Sequence, residues 1–476
     1  MNKKYDIGII GLAVMGQNFV LNIESHGHSV AVYNRTASRT DGFIEERARD
    51  KQIKPTYNLE ELVNSLSRPR KVMLMVKAGK PVDIVIDNLI PHLEEDDIII
   101  DGGNSHFKDT ERRYQKLKKR GIRYLGTGIS GGEYGALHGP SIMPGGDESA
   151  YEEVEDIFTD VAAQTEDGPC VTYLGPESAG HYVKMVHNGI EYGVMALLSE
   201  VYDIMRKILN LEPEAMSKYF REWDKYHKSY LVEITYEILE RKDEETGNPL
   251  INIILDRAKQ KGTGKWSVQD ALDLGIPIPT INAAVNARSL SAIKEERIKI
   301  GKEFGGLDKS EIDKIMNKAN FIDNLEDALY SGIVIAYAEG MKLLQEASIE
   351  YDFELDLADI ARIWEDGCII RSALLKPIQK AYKEEKDLTN LIISSQFKEE
   401  IREKVEGLRK IVNQVKKAGV PIPAMNSALD YFDILRAKEM PASLIQGQRD
   451  YFGAHTYERR DKEGTFHTEW QDIHNM

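Results

Sequence analysis

Two hydrophobic rhythms divide this chain. Up to about residue 173, short apolar runs at 5–10, 29–33, 72–76, 98–100 and 122–125 alternate with stretches at 15–26, 60–66 and 109–120, whose apolar residues recur every three or four positions. Short apolar runs bounded by turn residues suit buried strands, and the longer repeat suits helices lying on them. Strand–helix alternation predicts a parallel sheet wrapped by right-handed crossovers. Strand signals then thin out. Helical patterns follow at 181–208, 310–318, 325–345, 398–417 and 424–436, punctuated by Gly275-Ile276-Pro277-Ile278-Pro279 and Gly419-Val420-Pro421-Ile422-Pro423. The pattern predicts an α/β domain over residues 1–178, a large all-α domain over 179–437 and an extended C-terminal tail over 438–476. Residues 446–476 are polar, aromatic and rich in His, with little helical periodicity. Such a tail frays unless it docks on another surface. Residues 215–223 and 356–364 echo one another, each after a long glycine-containing helix, so a duplicated helical unit competes with chance similarity.

Composition narrows the partners. The 476 residues carry a formal net charge of -16, which disfavours nucleic acid and anionic membranes as overall partners but leaves room for a local basic pocket. The two cysteines, Cys170 and Cys368, show neither metal-ligand spacing nor a disulfide framework, and are expected as buried small hydrophobes. No run approaches the ~18 apolar residues of a membrane span, and no signal-type segment opens the chain. A soluble, cytoplasmic protein is the expectation.

The first apolar run leads into Gly11-Leu12-Ala13-Val14-Met15-Gly16 and then a helix. This is the dinucleotide fingerprint of a Rossmann-type domain, with Ala13 at the second glycine position. Gly11 allows the tight turn and Gly16 close helix–strand packing, and a pyrophosphate would meet the helix N-terminus. The second run ends in Asn34-Arg35-Thr36. A guanidinium where NAD enzymes place a carboxylate suits a 2′-phosphate, so NADP is the expected cofactor. Two more loops, Val76-Lys77-Ala78-Gly79 and Asp101-Gly102-Gly103-Asn104-Ser105, fall at carboxyl ends of strands, where ligands sit in such sheets.

A second feature lies at the head of the helical region. Lys184, His187, Asn188, Glu191 and Tyr192 occupy i, i+3, i+4, i+7 and i+8, one face of a helix. That spacing normally carries an apolar stripe, and apolar residues 195–198 follow directly. Such a stripe needs either solvent or a polar ligand. The mix of Asn, His and Tyr with one lysine and one glutamate favours a ligand. The lysine and glutamate offer a base and an acid two turns apart, provided burial lowers the lysine's pKa.

With these motifs the chain resembles the 6-phosphogluconate dehydrogenase family, the decarboxylating enzymes of the oxidative pentose phosphate pathway, within the β-hydroxyacid dehydrogenase group. The resemblance runs essentially end to end. Besides the runs above it rests on Ser130-Gly131-Gly132, residues 139–146, residues 181–193, Lys261-Gly262-Thr263-Gly264-Lys265-Trp266 and residues 448–458. It implies metal-independent oxidation of 6-phosphogluconate by NADP with loss of carbon dioxide to give ribulose 5-phosphate. Lys184 would be the general base toward the 3-hydroxyl, and Glu191 the acid that protonates the enediol. Asn104, Ser130, Gly131, Gly132, His187 and Asn188 would hold the sugar-acid end. Tyr192, Lys261, Thr263, Arg288, Arg449 and His455 would bind the phosphate, the last two from the partner's tail in a homodimer. Tyr134, Leu137, Val194 and Ser178 depart from the family pattern, and the first two put the surroundings of Ser130–Gly132 in question. Two rivals compete: a dehydrogenase of a short unphosphorylated hydroxy acid, and a catalytically silent NADP-binding protein.

Overall fold

Seven strands form one sheet in the order β3-β2-β1-β4-β5-β6-β7. They are β1 (Ile7–Ile10), β2 (Val30–Tyr33), β3 (Ile53–Thr56), β4 (Lys71–Leu74), β5 (Ile98–Asp101), β6 (Arg123–Ile129) and β7 (Ile142–Gly146). The computed structural model describes residues 3–260, 262–314 and 318–470. β1 to β6 pair in parallel, and the crossovers carry α1 (Val14–Ser25), α2 (Ala37–Arg47), α3 (Leu59–Asn64), α4 (Lys80–Leu89) and α5 (Phe107–Lys118). Burial on both faces explains why the strands read as unbroken apolar runs. One core holds Ile7, Ile9, Val30, Val32, Ile98 and Ile100, and the other holds Ile10, Ala31, Val72, Leu74 and Ile99.

The sheet is not wholly parallel, which corrects the sequence expectation: β7 runs antiparallel to β6, after α6 (Gly132–His138). The apolar pattern predicts neither β3 nor β7. Ile53-Lys54-Pro55-Thr56 offers one strong apolar residue and a proline that only an edge strand tolerates, and β7 ends in Pro144-Gly145-Gly146. β6 extends past the predicted 122–125 through Gly126-Thr127-Gly128, a stretch that resembles a turn in sequence.

Two long helices organise the helical region. The first, Ala179–Lys207, is buried along most of its length, and the second, Lys318–Glu350, packs against it. The first helix begins against the sheet. A Cβ on Gly180 would stand 2.3 Å from the Gly126 carbonyl oxygen, 2.4 Å from that of Met143 and 2.6 Å from the Gly145 nitrogen. Each long helix is followed by one copy of the echoed segment. Each also lends a buried carboxylate to a proline-led helix in the other half. Glu200 accepts from Ala424 N (2.7 Å) and Met425 N (2.9 Å), and Glu339 accepts from Thr280 N (2.9 Å) and Ile281 N (3.1 Å). These four N–H groups are the orphan donors that a helix start leaves unsatisfied. Burial pushes both carboxyls up to about 8 despite those donors.

The chain divides into two compact units, Met1–Ala428 and Leu429–Met476. The second contains a helix at Ala442–Gly453 and a hairpin of Tyr457–Glu458 with Thr465–Phe466. The helix contradicts the aperiodic tail expected from residue 446 onward. Its apolar residues Leu444, Ile445, Tyr451 and Phe452 stay exposed, so no buried stripe marks it. Asp450, fully buried, ties this unit together: it accepts from Thr456 N, Thr468 N and Trp470 Nε1 and meets His467 Nδ1 at 2.8 Å. Cys170 and Cys368 are buried and free, as expected. Among the described residues no helix is long and apolar enough to cross a membrane.

Candidate active site

The fingerprint forms a cradle at the carboxyl end of β1. Gly11 adopts φ 106°, and a Cβ there would stand 2.5 Å from the Met75 carbonyl oxygen. A Cβ on Gly16 would lie 2.0 Å from the Gly11 carbonyl oxygen, so both positions require glycine. Ala13 precedes α1 without a capping side chain, and no acidic residue stands in the first turn. The helix start therefore offers free N–H groups and its positive dipole end to an anion. Gly11, Leu12 and Gly16 are buried, whereas Ala13 and Val14 are exposed and Met15 is half-buried.

Asn34 braces this loop. Its Oδ1 accepts from Leu12 N (3.2 Å) and its Nδ2 donates to the Thr36 carbonyl (3.1 Å). Arg35 and Thr36 are exposed, and Arg35 forms no ion pair among the described residues. A free guanidinium at this position fits a 2′-phosphate. Lys77 and Asn104 are exposed, Val76 and Ala78 are partly buried, and Val76 packs on the core of the sheet.

The polar stripe is buried, not solvated. Lys184 is 5% exposed, His187 0%, Asn188 7% and Tyr192 5%, while Glu191 is half-buried. Lys184 Nζ donates to Asn188 Oδ1 (2.9 Å) and lies 3.3 Å from His187 Nδ1. His187 Nε2 lies 3.2 Å from Ser130 Oγ, so an imidazole that accepts at Nδ1 has Nε2–H left for the serine. Burial lowers the Lys184 pKa to about 8, while the Glu191 charge pulls the other way. Burial, then the adjacent Lys184, drives the His187 pKa well below the usual histidine value. A buried lysine partnered by an amide oxygen thus gives up its proton far more readily than a free one, so that a working fraction is neutral near physiological pH. Close approach to the sheet makes this possible: a Cβ on Gly128 would sit 2.4 Å from Lys184 Cβ.

The other predicted residues fall into three groups. Arg288 stacks on the Tyr192 ring, 3.6 Å from its centroid. Thr263 is buried at the start of the helix Thr263–Asp273, which is anchored on the first long helix by Ser267 Oγ to the Met185 carbonyl (2.8 Å). Lys261 lies outside the described residues. Arg449 and His455 are exposed in the second unit, where Arg449 Nη1 donates to Gln446 Oε1 (3.0 Å). Among the departures from the family pattern, Tyr134 is 73% exposed and tilts against His138, Leu137 packs on the sheet core, and Val194 and Ser178 are buried.

One wall was not foreseen. Trp364 meets His187 edge-on at 5.5 Å, Ile369 N approaches Ser130 Oγ at 3.4 Å, and a Cβ on Gly131 would lie 2.6 Å from the Gly367 carbonyl oxygen. Trp364 closes the echoed segment 356–364 and residues 365–369 carry no motif, so no local signal points to a site there.

Comparison with known proteins agrees with this arrangement. Residues 6–175 match the NAD binding domain of 6-phosphogluconate dehydrogenase, and residues 180–470 match the 6-phosphogluconate dehydrogenase C-terminal domain. The chain is 52% identical over 469 residues to the NADP(+)-dependent, decarboxylating 6-phosphogluconate dehydrogenase of Bacillus subtilis, covering 98% of this chain and 99% of that one. It is 50% identical to the decarboxylating 6-phosphogluconate dehydrogenase of Synechococcus elongatus over 97% of its own length and 98% of the relative's. The solved structure of Plasmodium falciparum 6-phosphogluconate dehydrogenase, described in its apo form and with NADP+ or 6-phosphogluconate, shares 47% identity. It superposes with a TM-score of 0.95 over 98% of this chain and 100% of that one. With both halves matched in one continuous chain, and the lysine stripe built into the helix where they meet, this protein belongs to the 6-phosphogluconate dehydrogenase family.

Proposed function

We propose that this cleft carries out the NADP-dependent oxidative decarboxylation of 6-phosphogluconate to ribulose 5-phosphate and carbon dioxide. The observation that carries the reading is the buried amine of Lys184, which donates to Asn188 Oδ1 and has its pKa lowered to about 8. Gly11 to Gly16, the open start of α1 and the exposed Arg35 suit NADP, and Val76, Lys77, Ala78 and Asn104 would help to hold it. When bound, NADP supplies the acceptor for the hydride leaving C3.

Neutral Lys184 takes the proton of the 3-hydroxyl as that carbon is oxidised. The resulting 3-keto acid carries its carbonyl β to the carboxylate. Protonated Lys184 then gives its proton to the keto oxygen as that oxygen draws in the electron pair of the breaking carbon–carbon bond and carbon dioxide leaves, which forms the enediol. Glu191, two turns along the same helix, delivers a proton to the terminal carbon of the enediol as Lys184 takes back the proton of the enol oxygen, leaving the ketone. Asn104, Ser130, Gly131, Gly132, His187 and Asn188 hold the sugar-acid end. Tyr192, Lys261, Thr263 and Arg288 bind the phosphate, a dianion that needs several donors. In this reading Arg449 and His455 arrive from the tail of the partner in a homodimer. The exposed apolar face of Leu444, Ile445, Tyr451 and Phe452 supports a tail that docks elsewhere. The two free buried thiols suit a reducing compartment.

The test follows NADPH absorbance on adding 6-phosphogluconate, and separately 3-hydroxyisobutyrate, without divalent metal. NADPH with equimolar carbon dioxide is expected from the first acid only. Reduction with the second alone, or with neither, overturns the reading. Lys184→Ala should abolish turnover while NADP still binds.

A further inference from the structure

A buried cation joins the two loops that border the cleft. Arg113, on α5, is 1% exposed. Its Nε donates to Asp83 Oδ1 (2.9 Å) and its Nη2 to the Gly79 carbonyl (3.1 Å), both at the start of α4, directly after Val76-Lys77-Ala78. Its Nη1 donates to Asp101 Oδ2 (3.3 Å) and Ser105 Oγ (3.1 Å), the residues that bracket Gly102-Gly103-Asn104. Asp101 is fully buried. It accepts from Ser105 Oγ (2.6 Å), Tyr124 OH (3.2 Å) and, through Oδ1, Gly103 N (3.1 Å). One planar guanidinium thus ties the loop after β4 to the loop after β5 in a fixed fork geometry, which the single point charge of a lysine does not reproduce. The loops themselves lie close: a Cβ on Gly103 would stand 3.2 Å from the Val76 carbonyl oxygen.

We propose that Arg113 is a positioning residue that sets the spacing between the loop at 76–79, beside the nicotinamide, and the loop at 102–105, which presents Asn104 to the substrate. The inference rests on the function proposed above. Arg113 acts through these loops: it fixes where the two reactants meet, and so the length over which the hydride passes.

Arg113→Lys and Ser105→Ala in the full-length protein test this. In the ligand-free variants, amide hydrogen exchange should quicken at Gly103 and at residues 76–79 while the sheet keeps its protection. A displacement of about 1 Å between reacting groups costs about 100-fold in rate, so Arg113→Lys should lower kcat about 10- to 100-fold and Ser105→Ala less. Calorimetric NADP affinity should change far less than kcat. The isotope effect on kcat with substrate deuterated at C3 should grow, because hydride transfer becomes the slow step. Folded variants with the parent's exchange pattern, kcat and isotope effect overturn the proposal. Should Arg113→Lys fail to fold, Ser105→Ala decides, since it leaves the guanidinium paired with Asp83 and Asp101. If the unmodified protein makes no NADPH from 6-phosphogluconate, the functional reading fails, and the exchange measurement alone then judges the clasp.

Discussion

Replacing Lys184 by methionine should remove turnover and stabilise the protein at neutral pH. In the folded protein the lysine pKa falls from 10.5 to about 8. At about 1.36 kcal/mol per pKa unit, the protonated side chain costs the folded state about 3 kcal/mol relative to the unfolded chain. At pH 7 that whole cost is present. Between pH 8 and 10.5 the folded lysine has released its proton while the unfolded one still holds it. The unfolded state then binds more protons, so stability rises with pH through this window. Methionine of similar shape removes the cost, but leaves Asn188 Oδ1 and His187 Nδ1 without the amine, a loss of about 1–2 kcal/mol. Denaturant titrations of parent and Lys184→Met, without ligands, should show the variant more stable by about 1–2 kcal/mol at pH 7. By pH 9.5 the parent should regain about 2 kcal/mol relative to the variant and match or overtake it. A stability difference that is the same at both pH values would refute the lowered pKa and the base assignment built on it.

Two further outcomes rest on the same geometry. Arg35→Asp should lower kcat/KM for NADP about 10- to 100-fold relative to NAD, the worth of about 1.5–3 kcal/mol for a hydrogen bond to a charged group; unchanged preference in paired steady-state assays would count against a 2′-phosphate contact. Gly128→Ala puts a methyl group 2.4 Å from Lys184 Cβ, so it should lower both melting temperature and kcat, and a normal kcat in a folded variant would show that the lysine stem has slack.

What the sequence revealed is what is local. Gly11 to Gly16 could be read because a strand, a tight turn and a helix come in order, each with its own residue chemistry. The stripe from Lys184 to Tyr192 could be read because helical spacing alone puts those side chains on one face. β3 and β7 escaped because Ile53-Lys54-Pro55-Thr56 and Ile142-Met143-Pro144-Gly145-Gly146 derive strand character from their neighbours and not from an apolar run. Arg113 escaped because it stands beside Arg112 on a strongly polar helix. One of the pair is half exposed and the other 1%; Asp83 accepts from both, and what sets Arg113 apart is its contact with Asp101, Ser105 and the Gly79 carbonyl, which helical spacing does not announce. Trp364 to Ile369 reached the lysine pocket through packing between the two halves of the helical region. The helix at Ala442–Gly453 was hidden for the opposite reason: its apolar side chains remain uncovered within their own unit.

The missing side chain at Gly180 has a further consequence. Backbone meets backbone there, and the helix bearing the amine and the carboxyl is seated directly on β6 and β7 with no layer of side chains to slide over. The glycine-rich turn after β1 and the stripe from Lys184 to Tyr192 are therefore held in one register by backbone contact. That alignment is built into the folded chain by three glycines, Gly126, Gly145 and Gly180, where no side chain could be accommodated.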